Sequence, residues 1–324
     1  MDSEYGGTDV KDAFASAVQA GLSKAGQKEL PCSYLYDELG SALFQAITFL
    51  PEYGVTRAEA RLLRRHAKAI ADLLSPVRSV VELGSGDGSK TRSLLEALAA
   101  GGPLGYFPID VSEYALNRCK RDLADLPTVR VCPLSLSYLD GLRHPSLSRT
   151  EEKPALFLFL GSTIGNFHRS EAVSFLRAVR STMSTGDSLL LGADLDKPAS
   201  VLLPAYDDPT GVTAAFNLNL LGHINRILDA DFDLTGFEHE VRFNELERRI
   251  EMHLRSTKNQ VVTIPAANMQ VQVLRDETLW TESSYRYRHD ELTRLAQQAG
   301  FAEIGMWIDE DWAFASTLWI IRDR

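Results

Sequence analysis

The sequence predicts an α/β protein: a doubly wound, largely parallel sheet interrupted by an inserted α+β segment. Three observations predict it. Short apolar runs alternate with stretches of helical spacing from Ser79 to Leu191, the pattern of strands covered on both faces by crossover helices. The first run leads into Gly84-Ser-Gly-Asp-Gly-Ser-Lys-Thr91 and the fourth into Gly161-Ser-Thr-Ile-Gly-Asn-Phe167. Loops of that composition at the carboxyl ends of parallel strands are where open α/β sheets place their ligands. After Asp194 the texture changes, first to helix and then to alternating β.

Taken in order, residues 1 to 31 form a polar lead-in with one amphipathic helix around Phe14 to Leu22. Leu39, Leu43, Phe44 and Ile47 then stand at helical spacing, and Pro51-Glu-Tyr-Gly54 closes that unit. A long helix is expected from Arg57, its stripe running through Leu62, Leu63, Ile70 and Leu73-Leu74 until Pro76 stops it. Strands follow at Ser79–Leu83, Tyr106–Asp110, Val129–Val131, Ala155–Leu160 and Ser188–Leu191, with helices between them. Residues 199 to 228 read as helix, interrupted at Asp207-Asp-Pro-Thr-Gly211. From Phe237 to Tyr287 the pattern is β, with Ile250, Met252 and Leu254 alternating against Glu251, His253 and Arg255. Helical spacing returns over Glu291 to Ala299, and two strand-like runs, Ile304–Ile308 and Ser316–Ile321, end the chain.

Composition narrows the function. The 324 residues carry a formal charge of -10, so neither nucleic acid nor an anionic membrane is expected as a partner. Cys32, Cys119 and Cys132 are scattered, no CxxC pair exists, and the seven histidines form no HExxH. No metal site is expected, and the cysteines suggest a reducing compartment. With no apolar signal core and no run of membrane-spanning length, a cytoplasmic, monomeric protein acting on a small molecule is the expectation.

The first loop narrows it further. A P-loop or a dinucleotide fingerprint counted from Gly84 would need a glycine where Ser89 stands. Glycines at every second position after Glu82, namely Gly84, Gly86 and Gly88, fit an S-adenosylmethionine (SAM) loop instead. Glycine there lets backbone approach the ligand closely. Asp110 ends the next strand, where a carboxylate can accept both ribose hydroxyls, as an acid there would in an NAD enzyme too.

Longer motifs carry a resemblance. They are TyrLeuTyrAspGluLeuGlySer (34 to 41), LeuProGluTyr (50 to 53), ValGluLeuGlySerGly (81 to 86) and PheLeuGlySerThrIleGlyAsnPhe (159 to 167). AlaTyrAspAspProThrGlyValThrAlaAlaPheAsn (205 to 217), ArgIleGluMet (249 to 252) and ThrGluSerSer (281 to 284) continue it. From Tyr34 to its C-terminus the chain resembles the histidine N-alpha-methyltransferase family, which converts L-histidine to hercynine in ergothioneine biosynthesis. The resemblance implies a class I methyltransferase (Rossmann-like) domain over 57–195 plus 286–324, with a substrate-binding domain from 1–56 plus 196–285. It implies cofactor contacts from Gly84, Lys90 and Asp110, with Ser85 and Gly86 completing the loop. It implies a histidine pocket of Tyr53, Asn166, Tyr206 and Glu282-Ser283-Ser284, with Tyr36 beside the reacting nitrogen and Gly161 opening the second loop. S-adenosylhomocysteine (SAH) would be the product. One departure stands out: where many members carry Gly-Asp-Phe against the adenine, this chain has Leu136-Ser137-Tyr138. Ser137 and Tyr138 keep the cofactor position without the usual carboxylate.

The chemistry of the residues stands beside this. Methyl transfer to an amine needs nitrogen, methyl and sulfur held in line, so positioning is the main contribution a protein can make. Asn166 offers a donor and an acceptor to a substrate's carboxylate and amine. Tyr36 and Tyr206 offer phenols that orient without adding charge, and Phe216 a neutral wall. Glu282 and Ser284, two apart on a strand, face one side about 6.5 to 7 Å apart, a spacing that could read an imidazole. Trp280 is expected on that face, and Met252 as a wall on another strand. Two rivals remain open: a relative acting on tryptophan or another amino acid, and a degenerate nucleotide-binding regulatory module.

Overall fold

Among the described residues, seven strands follow one another across the eight-stranded large sheet: Ser79–Leu83 (β1), Leu104–Asp110 (β2), Val129–Val131 (β3), Ala155–Phe159 (β4), Ser188–Asp194 (β5), Phe301–Asp309 (β6) and Phe314–Ile321 (β7). A computed structural model describes residues 4–74, 76–147 and 154–321. The first residues of the polar lead-in, 1–3, and the end of the last expected domain, 322–324, lie outside them. The strand order is β3-β2-β1-β4-β5-β7-β6. Neighbours among β1 to β5 run parallel, and β7 runs antiparallel to both β5 and β6. This is the class I methyltransferase order. Succession reverses between β1 and β4, so the loops leaving those two strands flank the topological switch point.

Alternation along the central strands supplies two cores. Val81, Leu83, Phe157, Phe159, Leu189 and Leu191 face one helical layer. Val80, Leu156, Leu158 and Leu190 face the other, so β4 is apolar at all five positions because neither face meets water. One covering helix, Val55–Leu73, begins two residues earlier than the apolar stripe suggests. Of the expected stripe Leu73 is half exposed, whereas Leu74 packs partly buried against the core. A two-residue strand, Leu134–Ser135, pairs with β2 and leads into the helix Tyr138–Arg143. Both are too short for periodicity to announce.

The chain folds as two compact units. One is Gly54–Lys197 with Tyr285–Arg324, which holds this sheet, and the other is Met1–Tyr53 with Pro198–Ser284. The second unit contains a four-stranded sheet in the order Lys28–Glu29, Thr278–Tyr285, Arg249–Ser256, Phe237–Asn244. A hairpin, Gln260–Ile264 with Met269–Val273, stands apart from it. Four helices, Glu4–Leu22, Glu38–Thr48, Ala199–Tyr206 and Val212–Leu228, belong to the same unit. The interruption between the last two has a local cause. Gly211 sits at φ 75, and Asp208 accepts from the backbone N–H of Val212 and Thr213, capping the second helix. In Glu38–Thr48 only part of the expected stripe is inward: Ile47 is buried, whereas Leu39 is 53% exposed.

Candidate active site

The glycine loop after β1 is dictated by backbone angles. Gly84, Gly86 and Gly88 have φ of 69, 54 and 68, the left-handed region that disfavours a side chain. Space adds a second constraint at two of them. A Cβ at Gly88 would lie 2.7 Å from the Cys119 sulfur, and one at Gly84 3.1 Å from the Tyr138 hydroxyl. A Cβ at Gly86 would meet nothing within 4 Å, so this glycine opens onto free space. Asp110, at the end of β2, accepts from the Gly86 N–H and the Ser112 N–H, both at 2.9 Å. Burial raises its pKa against the lowering pull of those backbone bonds. The two carboxylate oxygens together offer about four acceptor sites, so capacity remains for a ligand.

Beneath the loop lies a closed polar network. Glu82 is fully buried and accepts from the Thr91 hydroxyl at 2.9 and 2.8 Å and from the Tyr106 hydroxyl. Burial pushes its carboxyl up to about 7, against the lowering influence of Tyr106, Lys90 and Thr91. The same burial, with Glu82 nearby, pushes the Cys119 thiol up to about 12.

The second loop, after β4, turns through two left-handed residues, Gly161 (φ 76) and Ser162 (φ 58). The Ser162 hydroxyl accepts from the Asp194 N–H at 2.9 Å, and Thr163 to Asn166 form one 3-10 turn. A Cβ at Gly165 would lie 2.9 Å from the Tyr285 carbonyl, so this turn lies tight against the chain. Glu59, on the helix Val55–Leu73, accepts from the Gly161 N–H with both oxygens, at 2.8 and 2.9 Å. Lys90 of the glycine loop donates to the same carboxylate at 2.7 Å.

Ser137 caps the helix Tyr138–Arg143, and its hydroxyl donates to Asp140. A carboxylate therefore stands beside Ser137 from one turn further on. The Tyr138 ring packs edge-on to Phe159, with centroids 5.7 Å apart.

The other unit gathers rings. Tyr36 meets Phe44 and Phe216 edge-on at 5.4 and 5.5 Å, and Phe44 lies 5.9 Å from Phe216 and 6.2 Å from Tyr53. Tyr53 meets Tyr206 at 6.2 Å, and the Tyr206 hydroxyl is 2.8 Å from the Ser284 hydroxyl. Asp37 ties the Tyr36 turn down: it caps the next helix through the Gly40 N–H and accepts from Asn219, both at 2.7 Å. Asn219 shares the helix Val212–Leu228 with Phe216. Glu282, Ser283 and Ser284 are all buried, as is Met252 on its strand.

A family model described as histidine-specific methyltransferase, SAM-dependent, matches residues 14–320. The chain belongs to that family. A histidine N-alpha-methyltransferase of Mycobacterium tuberculosis is 42% identical over 311 residues, covering 94% of each chain. One from Mycolicibacterium smegmatis is 40% identical over 311 residues, covering 95% of this chain and 94% of that one. An L-tryptophan methyltransferase of Psilocybe serbica is 28% identical over 324 residues, covering 91% and 89%. As a family member the chain is a SAM-dependent histidine methyltransferase, and its fold is that of class I.

Within this methyltransferase the expected site residues fall into two groups. Gly84, Ser85, Gly86, Lys90, Asp110, Ser137, Tyr138, Gly161 and Asn166 belong to the unit of the large sheet. Tyr36, Tyr53, Tyr206, Phe216, Met252 and Glu282 to Ser284 belong to the other. Trp280 is expected on the face of Glu282 and Ser284. Its ring stacks on His253 at 5.8 Å with the Arg249 guanidinium 4.6 Å above it, and its indole N–H donates to the Glu282 carbonyl. Sequence reasoning misses Glu59 and Asp140, and it gives Phe44 only a place on a helix stripe. A glutamate within an otherwise apolar helix face, two residues after Arg57, is the available signal for Glu59. Among the described residues, no His, Cys, Asp and Glu group gathers as a metal site would, and no helix is long and apolar enough to cross a membrane.

Proposed function

We propose that this chain trimethylates the α-amine of L-histidine, giving hercynine, as the methyl-transfer step of ergothioneine biosynthesis. The observation that carries the reading is the nearly full-length identity to two histidine N-alpha-methyltransferases. The unit of the large sheet takes the cofactor and the unit rich in rings reads the histidine side chain.

The cofactor fits the residues present: Gly86 leaves open space beside a carboxylate, Asp110, at the switch point. Asp110 takes the ribose hydroxyls, Lys90 the carboxylate of the methionyl end, and Ser85 lines the turn. Ser137 and Tyr138 meet the adenine, with Asp140 behind Ser137 in place of the carboxylate the family pattern carries. Bound there, SAM would supply a methyl group on a positively charged sulfur, open to in-line attack by an amine lone pair with neutral SAH as the leaving group.

The remaining residues hold the amine for that displacement. Asn166 accepts from the amine and donates to the substrate carboxylate, and Gly161 fixes the loop that presents it. Tyr36 orients the neutral amine without adding charge, and with Phe216 forms a wall that accepts a head group growing by methyls. A carboxylate there would hold the ammonium form and oppose the loss of a proton that each transfer needs. Cation–π attraction from the rings aids the later, more charged stages. Tyr53 and Tyr206 shape the substrate's carboxylate end, Met252 adds an apolar wall, and Glu282, Ser283 and Ser284 read the imidazole. Mass spectrometry of products from each of the twenty amino acids with SAM tests the reading. Mono-, di- and trimethylated histidine are expected, and methylation of another amino acid in preference to histidine would overturn it.

A further inference from the structure

Glu59 is a carboxylate with no surface exposed to solvent, on a helix whose other inward residues include Ala58, Leu62 and Leu63. An apolar residue would satisfy helix-on-sheet packing there, and burying an ion pair in place of one costs stability more often than it adds any. The site is nevertheless built for the charge. Gly192 on β5 makes the room, since a Cβ at that position would lie 2.1 Å from Glu59 Oε1. The carboxylate then joins two segments that are remote in sequence. It accepts the Gly161 N–H through both oxygens and the Lys90 ammonium at 2.7 Å. The join is close, for a Cβ at Gly161 would stand 3.3 Å from the Lys90 nitrogen.

We propose that Glu59 is the positioning residue of the cofactor site, locking the Lys90 ammonium against the Gly161 turn so that a carboxylate-bearing ligand meets a cation already in place. It rests on the assignment above of Lys90 to the methionyl carboxylate. Glu59 itself touches no reacting atom. Its contribution is that Lys90, a long flexible side chain, loses no rotamer freedom on binding because the buried pair has already fixed it. Fixing Gly161 in the same contact sets the second loop, and with it Asn166, relative to the glycine loop.

The test is titration calorimetry with SAM and SAH on the full chain, its Glu59→Gln and Lys90→Met variants, and the double variant. Glu59→Gln keeps the size and an acceptor for Gly161 but turns the charge off. It should weaken SAM by about tenfold or more, raising KM for SAM while kcat at saturating SAM stays within about threefold. If Glu59 acts through Lys90, the double variant binds SAM as Lys90→Met does, because no cation remains to be placed. Two independent losses that multiply in the double variant would overturn the proposal, as would unchanged SAM affinity in Glu59→Gln. Should Glu59→Gln fail to fold alone, the comparison of Lys90→Met with the double variant decides alone: equal affinity supports the proposal and a further tenfold loss overturns it. A wild-type chain that methylates histidine beside an unaffected Glu59→Gln overturns this proposal only. A wild-type chain that binds no SAM overturns the functional reading with it.

Discussion

The two units build their candidate site residues from different material. In the unit of the large sheet the parts are backbone groups and charges: three left-handed glycines, the Gly86 N–H on Asp110, the Gly161 N–H on Glu59. In the other unit they are mostly rings and hydroxyls, Tyr36, Phe44, Tyr53, Tyr206, Phe216 and Ser284, drawn from segments far apart in the chain, alongside the candidate carboxylate of Glu282. On the assignment proposed above, the difference follows from what each recognises. A charged cofactor common to many reactions is held by fixed dipoles and ions close to one strand end. An amine that becomes bulkier with each methyl needs neutral walls, and only side chains supply those.

The largest test of that contrast is Asp110→Ala. It removes a carboxylate that orders Gly86 and Ser112 and is assigned to the ribose. SAM and SAH should both bind about 100-fold or more weakly, since more than one charge-assisted hydrogen bond is lost. Titration calorimetry reads this directly, and retained affinity for both ligands would place the cofactor elsewhere.

Next in size is the pH dependence of stability that Glu82 confers. Its carboxyl ordinarily titrates at 4.5 and in the fold is held at about 7 by burial. The folded chain therefore keeps a proton between those values that the unfolded chain has lost, so stability falls as pH rises through that window. The fall is on the order of 3 kcal/mol, complete above about pH 7 and absent below about pH 4.5. Urea unfolding at about pH 5 and about pH 7.5 should show a shallower slope for Glu82→Gln than for the wild type. Identical slopes would mean that Glu82 is ionised throughout.

Glu282→Ala sharpens the contrast from the other side. Histidine affinity should drop by about 10- to 100-fold through one lost charged hydrogen bond, with SAM affinity unchanged. An unaltered histidine affinity would remove Glu282 from the pocket. Tyr36→Phe is the mildest change, leaving the wall and deleting only the hydroxyl. Transfer in single-turnover assays should slow by about tenfold or less, SAM affinity should hold, and dimethylhistidine should serve as a substrate. Full-speed transfer by the variant, or inert dimethylhistidine, would refute the arrangement around the amine.

Where sequence and structure part, the differences share a cause. Leu39 keeps helical spacing with Ile47 yet faces solvent, because periodicity gives a stripe and not its width. Trp280 stands two positions from Glu282 on one strand, and which residues engage its ring, His253 and Arg249 of the neighbouring strand, is a matter of register that spacing does not give. Ser137 stands in the sequence as a lost carboxylate, yet Asp140 lies on its hydroxyl, one helical turn away in a helix too short to be read.

What the sequence determined alone is everything whose cause is local. Glycines at alternate positions after a buried strand imply a turn that only glycine tolerates, and apolar runs set the strands. An acid at the next strand end sits beside that turn because parallel neighbours bring their carboxyl ends together. Tertiary structure alone decided which distant residues share one atom's reach. Gly161 lies 102 positions from the Glu59 that accepts its N–H, and Lys90 lies 31 positions from the same carboxylate. No period or spacing encodes such a meeting; it exists because helix, glycine loop and second loop converge where Gly192 leaves room for a carboxylate.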